Sequence, residues 1–361
     1  MQHVKNLRPL AALWLVAAPT ALFAHHSLLN YDDSQLVDVE GEVTSVYWGN
    51  PHILIEMTGT TEAGEDVTWT IEGGPVNQME RRGVARGSVA VGDTLFVSGI
   101  ASDRGDEQAM MPVLMTLASG DNLILDERQA EKFGLLEEYE AMAGGVRNSE
   151  AVDAAIRDAD GIFRVWTNDG WIARYRVWGE STLPLTESAR IAQEGWVQVE
   201  DDLALRCIKA GMPEAQLNPF PIEFIEQGDN IVMRIEEWEN VRTIYMDGST
   251  PEGQPASPLG YSVGHWEGNT LVIETDNINA PFFDDRGTPQ SEAVRIVERF
   301  TLSEDETRLD WLATVYDDAT FTEPMEMPDL HWNWVPGESL KTYECTPASA
   351  GTPWGARRST D

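Results

Sequence analysis

A mainly β protein of two barrels is what this sequence predicts: a small five-stranded barrel of the OB type first, then a larger antiparallel, lipocalin-like barrel. Three observations carry the prediction. Short period-two stretches broken by turn residues fill positions 37–125. A Glu, Leu and Ala-rich segment then interrupts them with helical spacing. Longer strand candidates joined by hairpin signals follow beyond residue 219.

In the first region, Val39–Val43 and Ser45–Trp48 lead to a Gly49-Asn50-Pro51 turn, and His52–Met57 resumes extended structure. Val67–Glu72 places residues 67, 69 and 71 on one face, and Val76–Arg82 reads as a short helix. Thr94–Gly99 and Val113–Leu117 complete five strands, with the helix in the position typical of an OB-like barrel. Asp126–Met142, Ser149–Arg157 and Thr186–Trp196 form a helical connector. The larger barrel is expected from Pro221–Glu226, Ile231–Glu237, Val241–Met246, Tyr261–Trp266, Thr270–Thr275, Val294–Leu302, Arg308–Tyr316 and Leu340–Cys345. The resulting division is a leader at 1–24, an OB-like domain at 25–125, a connector and lead-in at 126–218, a barrel at 219–347 and a tail at 348–361.

Residues 1–24 have the layout of a secretory signal peptide: Lys5 and Arg8, an apolar run from Leu10 to Phe23, and Ala24 at the cut. The expected location is therefore periplasmic or secreted. No run approaches the roughly 18–20 apolar residues of a membrane-spanning helix, so stable membrane insertion is not expected. Export also frames the two cysteines, Cys207 and Cys345, as a disulfide.

Sixty-one Asp and Glu against 25 Lys and Arg give a net charge of −36, spread along the chain. Such a surface repels phosphate backbones, which argues against a nucleic-acid partner despite the OB-like barrel. Oligomeric state has no signature in the sequence.

His25-His26-Ser27, Trp48-Gly-Asn-Pro-His52, the run Gly260-Tyr-Ser-Val-Gly-His-Trp-Glu-Gly-Asn-Thr-Leu-Val-Ile-Glu-Thr275, Glu298-Arg-Phe300, Arg206-Cys207 and Tyr343-Glu-Cys345 together resemble a family of exported bacterial proteins without an assigned activity. The resemblance implies kinship and no reaction. It also implies an arginine where this chain has His265 and a histidine where it has Gln290.

Three constellations carry candidate chemistry. In the larger barrel, Arg242, Glu236, Glu267, Glu274 and Glu298 alternate with apolar residues and could form a buried charged network. A glutamate in a tryptophan-lined cavity would have a raised pKa and could protonate an alkene or carbonyl, which makes Glu267, Glu274 and Glu298 candidate catalytic groups of a hydratase, isomerase or cyclase. The plainer reading puts those charges on the wet face of the sheet.

The second constellation is aromatic. Thirteen tryptophans are present, ten of them from Trp166 onward. With Arg242, Tyr261, His265, Trp266, Arg299, His331 and Trp334 they could line a site for a small hydrophobic or aromatic molecule, although core packing uses the same residues. The favoured expectation is such ligand binding in the C-terminal barrel, with cofactor-free acid–base catalysis as the alternative.

The third is a nitrogen-only copper site from the new amino terminus, His25, His26 and His52. Exposed terminal histidines and a turn histidine are the competing reading. No other cofactor is expected, and no Ser-His-Asp spacing or phosphate-binding glycine loop occurs.

Overall fold

The structure, a computed structural model, describes residues 31–60, 66–102, 108–139, 148–167, 183–196, 201–218, 220–327 and 329–346. The first barrel is built from β1 (Val37–Tyr47), β2 (Leu54–Thr60), β3 (Asp66–Glu72), β4 (Thr94–Ala101) and β5 (Ala109–Thr116). Neighbouring strands run in the order β3-β2-β1-β4-β5, and a short parallel contact of Thr70 and Ile71 with Ala109 and Met110 closes the ring. Helix α1 (Val76–Arg81) sits between β3 and β4, as the OB-like reading requires. β6 (Asn122–Ile124) adds to β5 at the edge.

Alternation fills this barrel. Val43, Met57, Ile71, Leu95, Val97 and Met110 share its core. The two strands expected around Thr44 are one strand with a bulge, because Val43 opposes Met57 and Ser45 opposes Glu56. Gly41 faces Gly59 in register, and a Cβ on Gly41 would lie 2.4 Å from the Thr58 carbonyl oxygen, so this close crossing needs glycine.

The connector begins with α2 (Glu127–Lys132) and α3 (Leu135–Glu138), a single helix in expectation. Gly134, with φ +76°, breaks it. α4 (Ser149–Arg157) starts on an Asn148 cap, β7 (Val165–Thr167) follows, and α5 (Glu187–Glu194) starts on a Thr186 cap. One turn of helix, α6 (Glu214–Leu217), leads into the second barrel.

That barrel closes with nine strands. β8 (Ile222–Gln227), β9 (Asn230–Ile235), β10 (Asn240–Tyr245), β11 (Tyr261–Glu267), β12 (Thr270–Asp276), β13 (Arg295–Leu302) and β14 (Arg308–Tyr316) match seven of the expected strands. β15 (Met325–Glu326) is a short strand on β14, and β16 (Leu330–Trp334) with β7 completes the wall.

Two corrections follow. Leu340–Cys345 is not a barrel strand; its backbone is engaged by the first barrel instead. And β10 and β11 pair in parallel, the end of β10 (Ile244, Tyr245) lying beside the start of β11 (Ser262, Val263) after the connection from Asp247 to Gly260. The remaining pairs are antiparallel.

The interior of the second barrel is packed. Trp166, Trp311, Trp332, Phe224 and Phe300 are buried together, with edge-on contacts at 5.2 Å for Phe224–Phe300 and 6.2 Å for Trp311–Trp332. Among the described residues no helix is long and apolar enough to cross a membrane.

Candidate functional site

The two barrels meet along a seam built from three local features of the sequence. The Asn50-Pro51 turn follows β1, and Asn50 takes the Val76 amide on its Oδ1 at 2.9 Å while its Nδ2 donates to the Glu344 carbonyl at 3.1 Å. Cys207 and Cys345 are joined as a disulfide across 138 positions. Arg81, at the end of α1, grips the fully buried Glu236 with both guanidinium nitrogens, one contact being Nη1 to Oε1 at 2.7 Å. Glu236 also accepts Asn77 Nδ2 at 2.9 Å and the Lys341 amide at 2.7 Å.

Residues 338–346 act as a strap from the second barrel across the first. Lys341 Nζ reaches Glu80 at 3.2 Å, Asn77 Nδ2 donates to the Thr342 carbonyl at 3.2 Å, and Asn50 bridges Cys345 through the backbone.

Beside this seam lies a cleft. Its first lobe, about 760 Å³ including its open mouth, has Pro51, His52 and Pro75 from the first barrel, Leu205 and Ala210 from the connector, and Phe220, Trp238 and Tyr343 from the second barrel and strap. A second lobe, about 580 Å³ with its open mouth included, continues past Ile208, Pro258, Phe282 and Asp284. The lobes share Asp202, Ala204, Ala210, Glu214 and Asp285. Trp238, Tyr343 and Phe220 form one aromatic wall, with ring centroids 4.9 Å apart for Trp238–Tyr343 and 5.3 Å for Phe220–Tyr343.

At the first lobe, His52 Nδ1 lies 3.2 Å from the Gly73 carbonyl oxygen and 3.5 Å from Glu72 Oε1. Tyr31 donates to the other oxygen of Glu72 at 3.2 Å. A carbonyl at this distance favours the Nδ1–H tautomer and makes Nε2 the basic nitrogen. At the second lobe, burial pushes the Asp284 carboxyl up to about 6, against the lowering pull of hydrogen bonds from Thr288 and the Arg286 amide. Asp284 accepts the Thr288 amide at 2.9 Å and its hydroxyl at 2.7 Å, which pins the loop.

The residues expected to carry chemistry fall elsewhere. Arg242 and Glu298 do form a buried pair inside the barrel: Nη1 to Oε1 is 3.2 Å, Ser262 takes Nε at 2.7 Å, and Trp311 Nε1 donates to Glu298 at 3.2 Å. Glu236 belongs to the seam. Glu267 and Glu274 lie on the wet outer face, about half exposed. Arg299 at 2.6 Å and His265 at 3.2 Å hold the Glu267 carboxyl below its ordinary range, the reverse of a proton donor's. A charged network of all five is thus corrected to two separate buried pairs and an exposed cluster; strand alternation allowed one face to be wet, and it is.

Tyr261 stacks on Tyr245 at 4.6 Å and bonds Ser249 at 2.7 Å. Trp266 is exposed at the end of β11. His331 pairs with Asp310 across β14, and Trp334 lies under the Arg164 guanidinium at 4.4 Å. None of these lines the cleft. His25 and His26 lie outside the described residues, and among the described residues no three metal-binding side chains converge. Leu205 and Phe220 escape the sequence reading because they are scattered along the chain; Trp238, one of the candidate pocket tryptophans, and the strap's Tyr343-Glu-Cys345 motif are the readable signals.

The fold and seam thus define a mainly β protein of two closed barrels with a cleft between them. A family model described as a family of unknown function (DUF6152) matches residues 12–111, a stretch that takes in most of the first barrel. No curated protein matches the chain.

Proposed function

We propose that this is an exported protein that binds a small hydrophobic or aromatic molecule, and that the ligand occupies the cleft between the barrels rather than the interior of the C-terminal one. The observation that carries this reading is the composition of the first lobe. Its Pro51, Leu205, Phe220, Trp238 and Tyr343 come from both barrels and the connector, so a ligand there would meet apolar and aromatic surface from three parts of the fold. The packed tryptophans of the second barrel argue against its interior. The disulfide supports an oxidising compartment, and N-terminal sequencing of the protein from a periplasmic fraction should begin at His25.

Titration with N-phenyl-1-naphthylamine, an uncharged fluorescent reporter, tests the reading. Saturable binding is expected, and Ala210→Trp, at a wall shared by both lobes, should abolish it. Binding of equal strength in that variant contradicts the cleft as the site.

A second reading, copper held by His25, His26 and His52, draws support from chain reach. Tyr31 is tied to Glu72 beside His52, and His26 stands five positions earlier, a reach of at most about 17 Å. Copper titration of protein with an authenticated His25 terminus tests it. Unchanged affinity in His52→Ala rules it out.

A further inference from the structure

Resting on the cleft as the ligand site, we infer that Trp238 is its recognition residue, and that its indole N–H selects an uncharged ring-bearing ligand that carries a carbonyl oxygen.

The turn Glu237–Glu239 that joins β9 to β10 holds two consecutive non-glycine residues in the left-handed region, Trp238 at φ +58° and Glu239 at φ +51°. Such positions are unfavourable for residues with a Cβ and persist where the surroundings hold them. What the strained turn achieves here is to put Trp238 among Phe220 and Tyr343 at the cleft wall, outside the core of its own barrel.

The indole donor is unmet. Trp238 is 7 % exposed, yet its Nε1 has no hydrogen-bond partner. An unmet buried donor is unfavourable, and a ligand acceptor would supply the missing hydrogen bond. Trp48 and Trp332 also have unpartnered Nε1 atoms, but they sit within the two barrel cores; Trp196 has another on the second lobe, whereas Trp238 stands in the aromatic wall of the first. Nε1 is shielded from water, so a ligand oxygen reaches it through a side-chain adjustment of the kind common on binding.

Charge narrows the acceptor. Asp202, Glu214, Glu237 and Asp285 line the same lobe, and a ligand carboxylate would be repelled by them. A neutral carbonyl supplies the acceptor without that penalty. The ring then packs on Phe220, Tyr343 and Pro51.

Indane and 1-indanone share one bicyclic skeleton and differ at the carbonyl, so calorimetric titration of both against the full chain and Trp238→Phe isolates the indole N–H. The variant should weaken 1-indanone about tenfold and leave indane within about twofold. Equal effects on both probes, or no effect on either, overturn the role of Trp238 and leave the cleft standing as a site. Failure of both probes to bind the unaltered protein removes the cleft reading itself. Should the variant not fold, the Nε1–H resonance of Trp238 in ¹⁵N-labelled protein provides the same test: it should move downfield with 1-indanone and not with indane, and an unmoved resonance overturns the inference.

Discussion

Arg81 and Glu236 pair across the seam between the barrels, the guanidinium laid along both oxygens of a carboxylate that has no exposure to solvent. Each belongs to a different barrel, and the same Glu236 receives the Lys341 amide of the strap. One buried carboxylate therefore fixes the first barrel, the second barrel and the strap together.

Removing one member of that pair should cost far more than removing both. Arg81→Ala leaves Glu236 buried without its cation, which costs about 3–5 kcal/mol. The double replacement Arg81→Met with Glu236→Leu should be milder. Urea denaturation of the single and double variants measures the coupling, and additive losses contradict the clamp.

Inside the second barrel, Glu298→Gln should destabilise strongly because Arg242 then stands uncompensated in the core. Glu267→Gln and Glu274→Gln, on the outer face, should leave the melting temperature unchanged. Thermal unfolding of the three variants separates the groups. A large loss at Glu267 would mean that the outer cluster is not what it is described to be.

These contrasts show what the sequence made legible. The strands were readable because alternation of the type Trp311, Ala313 and Val315 within β14 is strict, and because Gln227-Gly-Asp-Asn230 and Glu267-Gly-Asn269 are strong turns. β7 was not, since three residues carry no period. Leu340–Cys345 has strand chemistry but spends its polar groups on Asn50, Asn77 and Glu236, and nothing local to residues 340–345 says so. The cleft escaped for a related reason: His52, Leu205, Trp238 and Tyr343 converge only once both barrels are closed and docked. His265 and Trp266, conspicuous in sequence, flank the tip of the β11–β12 hairpin and face water.

Stability should fall as pH rises through the range set by Asp284. Its carboxyl has an ordinary value of 3.8 and is pushed up to about 6 by burial, so the folded state binds a proton more tightly than the unfolded chain. The contribution is present below pH 3.8 and is lost by about pH 6, amounting to about 3 kcal/mol at most. Asp284→Asn keeps the acceptor for the Thr288 and Arg286 amides and does not titrate. The difference in urea midpoint between the two proteins should therefore change across this window and be flat above it. A constant difference from pH 4 to 7 contradicts the assignment.

Reduction of Cys207–Cys345 should lower stability by about 5 kcal/mol in the chain-entropy account of so long a loop. It should also free the strap, so that limited proteolysis cuts between 338 and 346 before either barrel. Simultaneous digestion of a barrel and the strap would show that the disulfide supports more than the seam.

The location of the ligand can be read directly by ¹⁹F NMR of protein labelled with 5-fluorotryptophan and titrated with N-phenyl-1-naphthylamine. The resonances of Trp238 and Trp196, assigned from their phenylalanine variants, should shift, because these two residues line the lobes of the cleft. Trp166, Trp311 and Trp332 fill the second barrel and should not move. Shifts at Trp311 and Trp332 with Trp238 unmoved would place the ligand inside the barrel and contradict the cleft as the site.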